Sequence, residues 1–323
     1  EPPREHGHHV LESIDAMIAG TAKVFIGMGG NFVRAVPDTE RSYDAMRKLD
    51  LKVAIYKKLN RGHVVHGREA LILPVVSRSE WIRTPLGEQF VTIEDSISNV
   101  SASRGVLAPV SEQCMPEVEI VCRMAMATLP ASNTPWESYI HNYDLIRDKI
   151  AQVYPEIYHD FSERIKAKQG FHLDVPPRRR VWNTPTGKAN FLILPGLEVN
   201  DIVADPSMLR LATVRSHDQF NTTIYSYNDR YRGVYNDRMV LFMNEEDRVA
   251  RGLDPQARVV FETISNDGVK RRVDGLTILD YPMPRGAVAG YYPELNPLLP
   301  LEYFEKISGT PAAKSIPVRT IAL

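Results

Sequence analysis

The sequence predicts two domains of different class: an α/β domain built on a parallel sheet, then an all-β barrel. Three observations predict this. Between residues 23 and 73, short apolar runs alternate with a stretch of helical period across short connections, the βαβ pattern of a parallel sheet with right-handed crossovers. From about residue 190 the period shifts to short β-type runs separated by turn residues. The length of 323 residues suits two domains of ordinary size.

Residues 10–20 carry apolar side chains at helical spacing and close on Gly20, a C-cap. Residues 23–26 form a strand that runs into a glycine turn at Gly27, Gly29 and Gly30, followed by a polar loop. Residues 39–49 form a helix with Asp38 or Thr39 as N-cap. Residues 51–56 and 70–73 are the next strands, the latter stopped by Pro74. Residues 77–110 are a loop-rich excursion with one or two short strands, 90–93 among them. Three helices follow: 117–129, with Val118, Val121, Cys122 and Ala125 on one face; 136–153; and 157–170, capped by Gly170. The proline- and arginine-rich stretch 175–181 suits a linker. The expected partition is therefore a domain over 1–175, a linker over 176–189 and a barrel over 190–323. Barrel strands are expected at 191–194, 209–214, 258–265, 270–279 and 287–291. Asn266-Asp267-Gly268 supplies a hairpin turn. A short helix covers 244–252, and the barrel is expected to be mostly antiparallel.

Composition narrows the function. A formal net charge of −1 with no basic bias argues against duplex nucleic acid as a partner. Two cysteines, Cys114 and Cys122, cannot build a disulfide scaffold or a four-cysteine cluster, and they suit core packing. No apolar run approaches the ~18 residues of a membrane span, and the polar start is not a signal peptide, so a cytoplasmic setting is expected. The chain lacks an initiator Met and begins in what reads as a loop, which suggests a piece of a longer protein.

The candidate binding residues lie at strand ends. Thr213, Arg215, Ser216, Gln219, Asn221 and Thr222 crowd the end of the strand at 209–214, and Tyr292 and Asn296 follow the strand at 287–291. Lys314 stands in a Thr-Pro-Ala-Ala-Lys setting. Arginine offers a fork to phosphate, and Gln and Asn offer both donors and acceptors to a heterocycle edge. Such a surface suits a large, anionic, hydrogen-bonding ligand. Gly29 and Gly30 let backbone approach a phosphate or sugar, although a tight turn with no ligand is an equal reading. Beyond the strand at 70–73, Glu80 or Arg78 suits a guanine edge or ribose, with an exposed ion pair as the alternative. His217 is either a titrating group or a solvated surface histidine. The stretch 229–238, dense in Arg and Tyr, is either a cover for a phosphate chain or a solvated loop. Together the two segments suggest one nucleotide-like cofactor held between two domains.

Ile26-Gly-Met-Gly-Gly-Asn31, Asn60-Arg61 and Leu71-Ile-Leu-Pro74 resemble the molybdopterin oxidoreductase superfamily, the dimethyl sulfoxide reductase and formate dehydrogenase group, in its YdeP-like branch. Thr213-Val-Arg215, Gln219-Phe-Asn-Thr222 and Tyr291-Tyr-Pro-Glu-Leu-Asn296 resemble the loops of its molybdopterin-dinucleotide-binding domain. The resemblance implies a Rossmann-like α/β domain followed by a double-psi β-barrel. It implies bis(molybdopterin guanine dinucleotide) carrying molybdenum or tungsten as cofactor. Gly29, Gly30, Asn31, Asn60 and Glu80 would lie near one guanosine. Thr213, Arg215, Ser216, Gln219, Asn221, Thr222, Tyr292, Asn296 and Lys314 would lie near the pterins and phosphates, with Asn296 bonding a pterin edge.

The family's metal ligand and [4Fe–4S] cysteines have no counterpart in this sequence, which holds no catalytic or metal-ligating residue of the family pattern. The resemblance therefore implies the C-terminal portion of a formate dehydrogenase-like oxidoreductase, completed by an N-terminal half of the same enzyme and inactive alone. The alternative is a stand-alone cofactor-binding or interaction module that kept the fold.

Overall fold

The computed structural model describes residues 5–193 and 207–321, which fold as two compact units. One gathers residues 5–54, 59–72 and 207–321; the other holds 55–58 and 73–193. The units group the chain differently from the sequence-order partition into 1–175, 176–189 and 190–323.

Helix α1 (Val10–Ile18) starts at a reciprocal cap absent from the sequence reading: His9 Nδ1 accepts from the Leu11 and Glu12 N–H groups, and Glu12 accepts from the His9 N–H. Its buried Leu11, Ile14 and Met17 face a core shared with α3 (Thr39–Arg47). Between them lie β1 (Val24–Met28) and a short α2 (Phe32–Ala35) where a polar loop was expected. Asp38 occupies the N-cap position of α3, but its side chain does not cap, because it is drawn instead to Arg271 at 2.6 Å. β2 (Leu51–Tyr56) and β3 (Glu69–Pro74) complete a sheet in the order β1-β2-β3. The Lys23 carbonyl accepts from Asp50 and Leu51, Asp50 accepts from Glu69, and Tyr56 accepts from Val75. Strand starts thus lie beside starts and ends beside ends, so the sheet is parallel. Pro74 closes β3 within the strand, as an edge strand tolerates.

The second unit is more irregular. β4 (Ile82–Thr84) and β5 (Gly87–Gln89) form a hairpin, and β6 (Val91–Glu94), β7 (Asn99–Ser103) and β8 (Phe171–His172) an antiparallel sheet. α4 (Glu117–Thr128) buries Ile120 and Cys122 while Val121 is exposed, so its inward face is rotated from the expected one. The helix expected over 136–153 breaks into α5 (Trp136–His141) and α6 (Asp144–Val153), because Asn142 is extended and caps the Asp144 N–H. The next one splits into α7 (Pro155–Tyr158) and α8 (Phe161–Arg164) at Asp160, which has φ 49°. Gly170 does not cap a helix; a Cβ there would meet the Val100 carbonyl oxygen at 1.9 Å. The stretch expected as a linker forms a single 3₁₀ turn at Pro176–Arg179.

The remaining strands are β9 (Leu209–Val214), the pair β10 (Gln219–Phe220) and β11 (Thr223–Ile224), β12 (Val240–Met243), β13 (Arg258–Thr263), β14 (Arg272–Asp280), β15 (Ala287–Tyr291) and β16 (Ile316–Ile321). Six of them close a barrel in the order β12-β14-β13-β16-β9-β15. Two pairings, β9 with β15 and β12 with β14, are parallel, and the other four are antiparallel. Leu209, Leu211, Leu241, Phe261, Ile278 and Val288 fill its interior. Asn266-Asp267-Gly268 makes the turn from β13 to β14, and α9 (Glu245–Ala250) is capped by Asn244. β12 and β16 were not expected. Residues 191–193 of the strand expected at 191–194 are exposed coil, and Leu194 lies outside the described residues.

A buried ion cluster ties α3 to this barrel. Arg271, 2% exposed, reaches both Asp38 and Asp267 at 2.6 Å, and Arg41 bonds the same two carboxylates. Hydrogen bonds from Arg271 hold the Asp267 carboxyl well below its ordinary range. The folded pKa is thus depressed, so the stability it contributes is present above the unfolded value of about 4 and is lost as pH falls below it. Arg271→Met is expected to cost about 3 kcal/mol, because the buried Asp38 keeps only its longer bond to Arg41 at 3.3 Å, and to flatten the acid limb of stability between about pH 4 and pH 2. Urea unfolding across pH checks both.

Candidate functional site

β9 and β15 are parallel neighbours, so Val214 and Tyr291 end at one edge and the chain leaves it at Arg215 and Tyr292. Ligands collect where parallel strands end, because unpaired backbone groups and freed side chains converge there. The Arg215 guanidinium lies over the Tyr292 ring, 4.9 Å from its centre. Lys314, just before β16, donates to the Thr213 carbonyl. A cavity of about 250 Å³ opens among Thr213, Arg215, Tyr292, Asn296 and Lys314, with Ala35 and Pro37 on its other wall. The structure therefore brings five of the candidate residues together.

Among the described residues, neither Arg215 nor Lys314 is paired with a carboxylate. Burial, and then the Arg215 charge, lowers the Lys314 ammonium's pKa below its ordinary value. Two cations that repel each other in a shared cavity are relieved by an anion. The geometry suits a phosphate or another anionic group.

Asn296 plays a different part from the one expected. It is 2% exposed, and its amide donates to the Arg34 carbonyl at 2.7 Å and the Val36 carbonyl at 3.2 Å. Both donors are spent on fixing the α2–α3 connection against the cavity, leaving none for a heterocycle. Thr213 is likewise committed, its hydroxyl donating to Ala313 at 3.2 Å.

Ser216 and Gln219 belong to a frame behind the cavity, and its centre is Arg238. Arg238 is buried and forms a two-pronged pair with Glu294 at 3.0 and 2.9 Å. It also donates to Ser216 Oγ at 3.0 Å, Gln219 Oε1 at 3.0 Å and the Tyr292 carbonyl at 2.9 Å. Gln219 in turn donates to the Asn221 and Tyr292 carbonyls at 2.6 and 2.5 Å. Asn221, at φ 49° in the β10–β11 turn, accepts from Arg215 at 3.4 Å, with Thr222 next to it. In the sequence the stretch 229–238 stands out, but nothing singles out Arg238 within it.

The same stretch holds Asp229, 1% exposed, which accepts from His217 Nδ1 at 2.8 Å, Arg232 at 2.6 Å and the Tyr291 hydroxyl at 2.9 Å. Burial alone would raise its pKa, but these three donors outweigh it and the net shift is downward. His217 is thus neither free nor simply solvated: Asp229 fixes its ring while Tyr231 packs against it at 4.4 Å.

A second cluster forms after β1. Gly29 and Gly30 have φ +66° and +71°, a conformation that favours glycine, with open space beside both. Asn60 donates to the Gly30 carbonyl at 2.9 Å, so the structure brings the turn and Asn60 together. The Asn31 Oδ1 is buried and accepts no hydrogen bond. Lys52, unmarked in the sequence, braces the segment after Asn60 by donating to the Gly62 and Val65 carbonyls, and burial lowers its pKa to about 8. Glu80 departs from expectation. It lies in the other unit, and its buried carboxylate accepts from the Ser77 and Val110 N–H groups at 2.5 and 3.0 Å. It is a loop brace rather than a ligand-facing group.

The frame and the cavity wall should respond differently to substitution. Arg238→Met is expected to cost about 3 kcal/mol, because the half-buried Glu294 is left without its partner, and to speed amide exchange at Ser216. Arg215→Ala should stay within about 0.5 kcal/mol of the unsubstituted chain. Urea midpoints and hydrogen exchange check the pair.

No family model matches the chain. Over 319 residues, 98% of its length, it is 43% identical to Protein YdeP of Escherichia coli (strain K12), of which it spans 42%. Over 323 residues it is 43% identical to an uncharacterized oxidoreductase of Mycobacterium tuberculosis, of which it spans 41%. The chain thus covers less than half the length of the curated relatives it matches. Among solved structures it is similar to acetylene hydratase from Pelobacter acetylenicus, with TM-score 0.61 and 14% identity over 97% of this chain and 46% of that one. At that identity the likeness is one of fold. No helix among the described residues is long and apolar enough to cross a membrane. By sequence the chain is similar to oxidoreductase-like bacterial proteins, and by fold to acetylene hydratase.

Proposed function

We propose that this chain is the cofactor-binding C-terminal portion of a molybdenum-dependent, formate dehydrogenase-like oxidoreductase, cytoplasmic, that holds bis(molybdopterin guanine dinucleotide). The observation that carries the proposal is the cavity at the ends of β9 and β15, where Arg215 and Lys314 stand without carboxylate partners beside Tyr292. That donor set fits the phosphates of such a cofactor. The glycine turn also fits, since the unsatisfied Asn31 Oδ1 lacks a donor such as a guanine N–H supplies. The closed six-stranded barrel with two parallel pairs is consistent with the double-psi form.

In this reading Arg215 and Lys314 bind the anionic groups, with Tyr292, Asn221 and Thr222 at the same strand-end mouth. Thr213, Ser216, Gln219 and Asn296 position them. Gly29, Gly30, Asn31 and Asn60 hold a guanosine, and Glu80 braces its own loop. The Arg238–Glu294 pair keeps the strand ends rigid, so that the Arg215 guanidinium stays over the Tyr292 ring. When bound, the cofactor supplies metal-centred two-electron chemistry. The metal's protein ligand and any [4Fe–4S] centre would belong to an N-terminal half, consistent with relatives more than twice as long.

Arg215→Ala and Lys314→Ala, made in the longer polypeptide, should each weaken cofactor retention about tenfold or more, since a charge-assisted hydrogen bond contributes about 1.5–3 kcal/mol. Molybdenum and pterin content after gel filtration measures this, and full retention in both variants would contradict the site. Asn296→Ala should instead lower stability by about 1–3 kcal/mol, because the Arg34 and Val36 carbonyls lose their donor. Thermal unfolding separates the two effects.

A further inference from the structure

The segment that leaves the barrel after β9 and rejoins it at β12 carries a series of exposed aromatic rings. Phe220, Tyr225, Tyr227, Tyr231 and Tyr235 are 68%, 76%, 64%, 64% and 63% exposed. A ring exposed singly is ordinary, whereas rings exposed together mark an interaction surface. Exposure alternates from Thr223 to Asn228: Tyr225 and Tyr227 are open to solvent, while Ile224, Ser226 and Asn228 are half-buried. Arg230 donates to the Tyr231 hydroxyl at 3.1 Å, its guanidinium lies 4.9 Å from that ring's centre, and Asp218 and Tyr235 are near enough to act on its charge. The Tyr225 N–H donates to the Asp218 carbonyl at 2.9 Å. Tyr225, Tyr231 and Tyr235 are thus gathered around Arg230. The backbone beneath them is fixed. Asp229 and Val234 exchange main-chain hydrogen bonds at 2.8 and 3.1 Å, and the Asn228 side chain accepts from the Asn236 N–H at 2.9 Å. The buried Asp229 carboxylate holds Arg232 and Tyr291 from below. Aromatic rings and an arginine on a fixed backbone lose little freedom on binding, as the anchors of protein interfaces do.

We propose that this aromatic rim is the docking surface for the part of the longer polypeptide that this chain does not span. Two observations select that occupant. The relatives that match 98% of this chain carry more than half their length outside the match. The rim is also continuous with the cavity mouth. Arg232, next to Tyr231, donates to the Arg215 carbonyl at 3.0 Å, and Asn221, next to Phe220, accepts from the Arg215 guanidinium at 3.4 Å. A partner seated on the rim therefore stands beside the mouth, where the proposed function needs an N-terminal half. The inference deepens that function, resting on its claim that the chain works within a longer polypeptide and not on the identity of the cofactor.

Hydroxyl-radical oxidation of the longer polypeptide, native and urea-unfolded, tests this. Rings as exposed as they are in this chain would be oxidised at nearly the unfolded rate. Docking is expected to slow oxidation of Tyr225, Tyr231 and Tyr235 about tenfold in the native state. In addition, Tyr235→p-benzoylphenylalanine is expected to photo-cross-link to a peptide from outside this chain. Near-unfolded rates at all three tyrosines overturn the proposal. So does protection that vanishes when the protein is diluted to monomers, since the occupant would then be a second copy. Protection that vanishes when molybdenum and pterin are stripped also overturns it, since a cofactor would then be the cover. Protection and cross-linking in a polypeptide purified free of molybdenum and pterin would leave the docking surface standing and remove the cofactor assignment.

Discussion

The mouth of the barrel depends on one buried guanidinium. Arg238 sits behind the ends of two parallel strands, and its donors reach a carboxylate, a hydroxyl, an amide oxygen and a main-chain carbonyl. Each partner belongs to a segment that would otherwise be a free loop. Ser216 and Gln219 belong to the segment leaving β9, and Tyr292 and Glu294 to the one leaving β15. A single planar cation therefore sets the spacing of both strand ends. Because Glu294 already neutralises Arg238, the frame adds little net charge at the mouth, and the charge there comes from Arg215 and Lys314. That division of labour between a paired, buried arginine and cavity-facing cations without carboxylate partners is what suits the site to an anion in the proposed function.

The opposite wall of the cavity is fixed by a different buried polar group. Asn296 holds the carbonyls of Arg34 and Val36, and the Arg271 cluster holds Asp38 just beyond them. The segment between α2 and α3 is thus tied to the barrel at successive points, which keeps Ala35 and Pro37 against the strand ends. Buried polar groups of this kind are costly unless fully satisfied, so each also specifies the arrangement it joins.

Much of this was legible in the sequence, for identifiable reasons. The alternation from Leu209 to Val214 fixes where β9 ends, so the polar residues after it could be recognised as strand-end groups. The glycine turn after β1 was legible because its conformation favours glycine. Partnerships were not legible. Arg238 and Glu294 lie far apart in sequence, and no local pattern distinguishes Arg238 from the other arginines of its stretch. Asn296 and Glu80 were recognisable as polar residues in conspicuous places, yet only tertiary contacts reveal that main chain absorbs their donors and acceptors. β12 was missed because four consecutive buried residues show no alternation, and β16 because Pro317 lies inside it. The helix breaks at Asn142 and Asp160 are decided by backbone geometry that a periodicity count passes over.

In the proposed function the cavity between Arg215 and Lys314 holds an anionic cofactor. The most direct measurement is a crystal structure of the longer polypeptide, purified with whatever it retains. The expected result is an anionic group of a bound cofactor within hydrogen-bond distance of both the Arg215 guanidinium and the Lys314 ammonium. A cofactor bound elsewhere, with this cavity filled only by water, would contradict it.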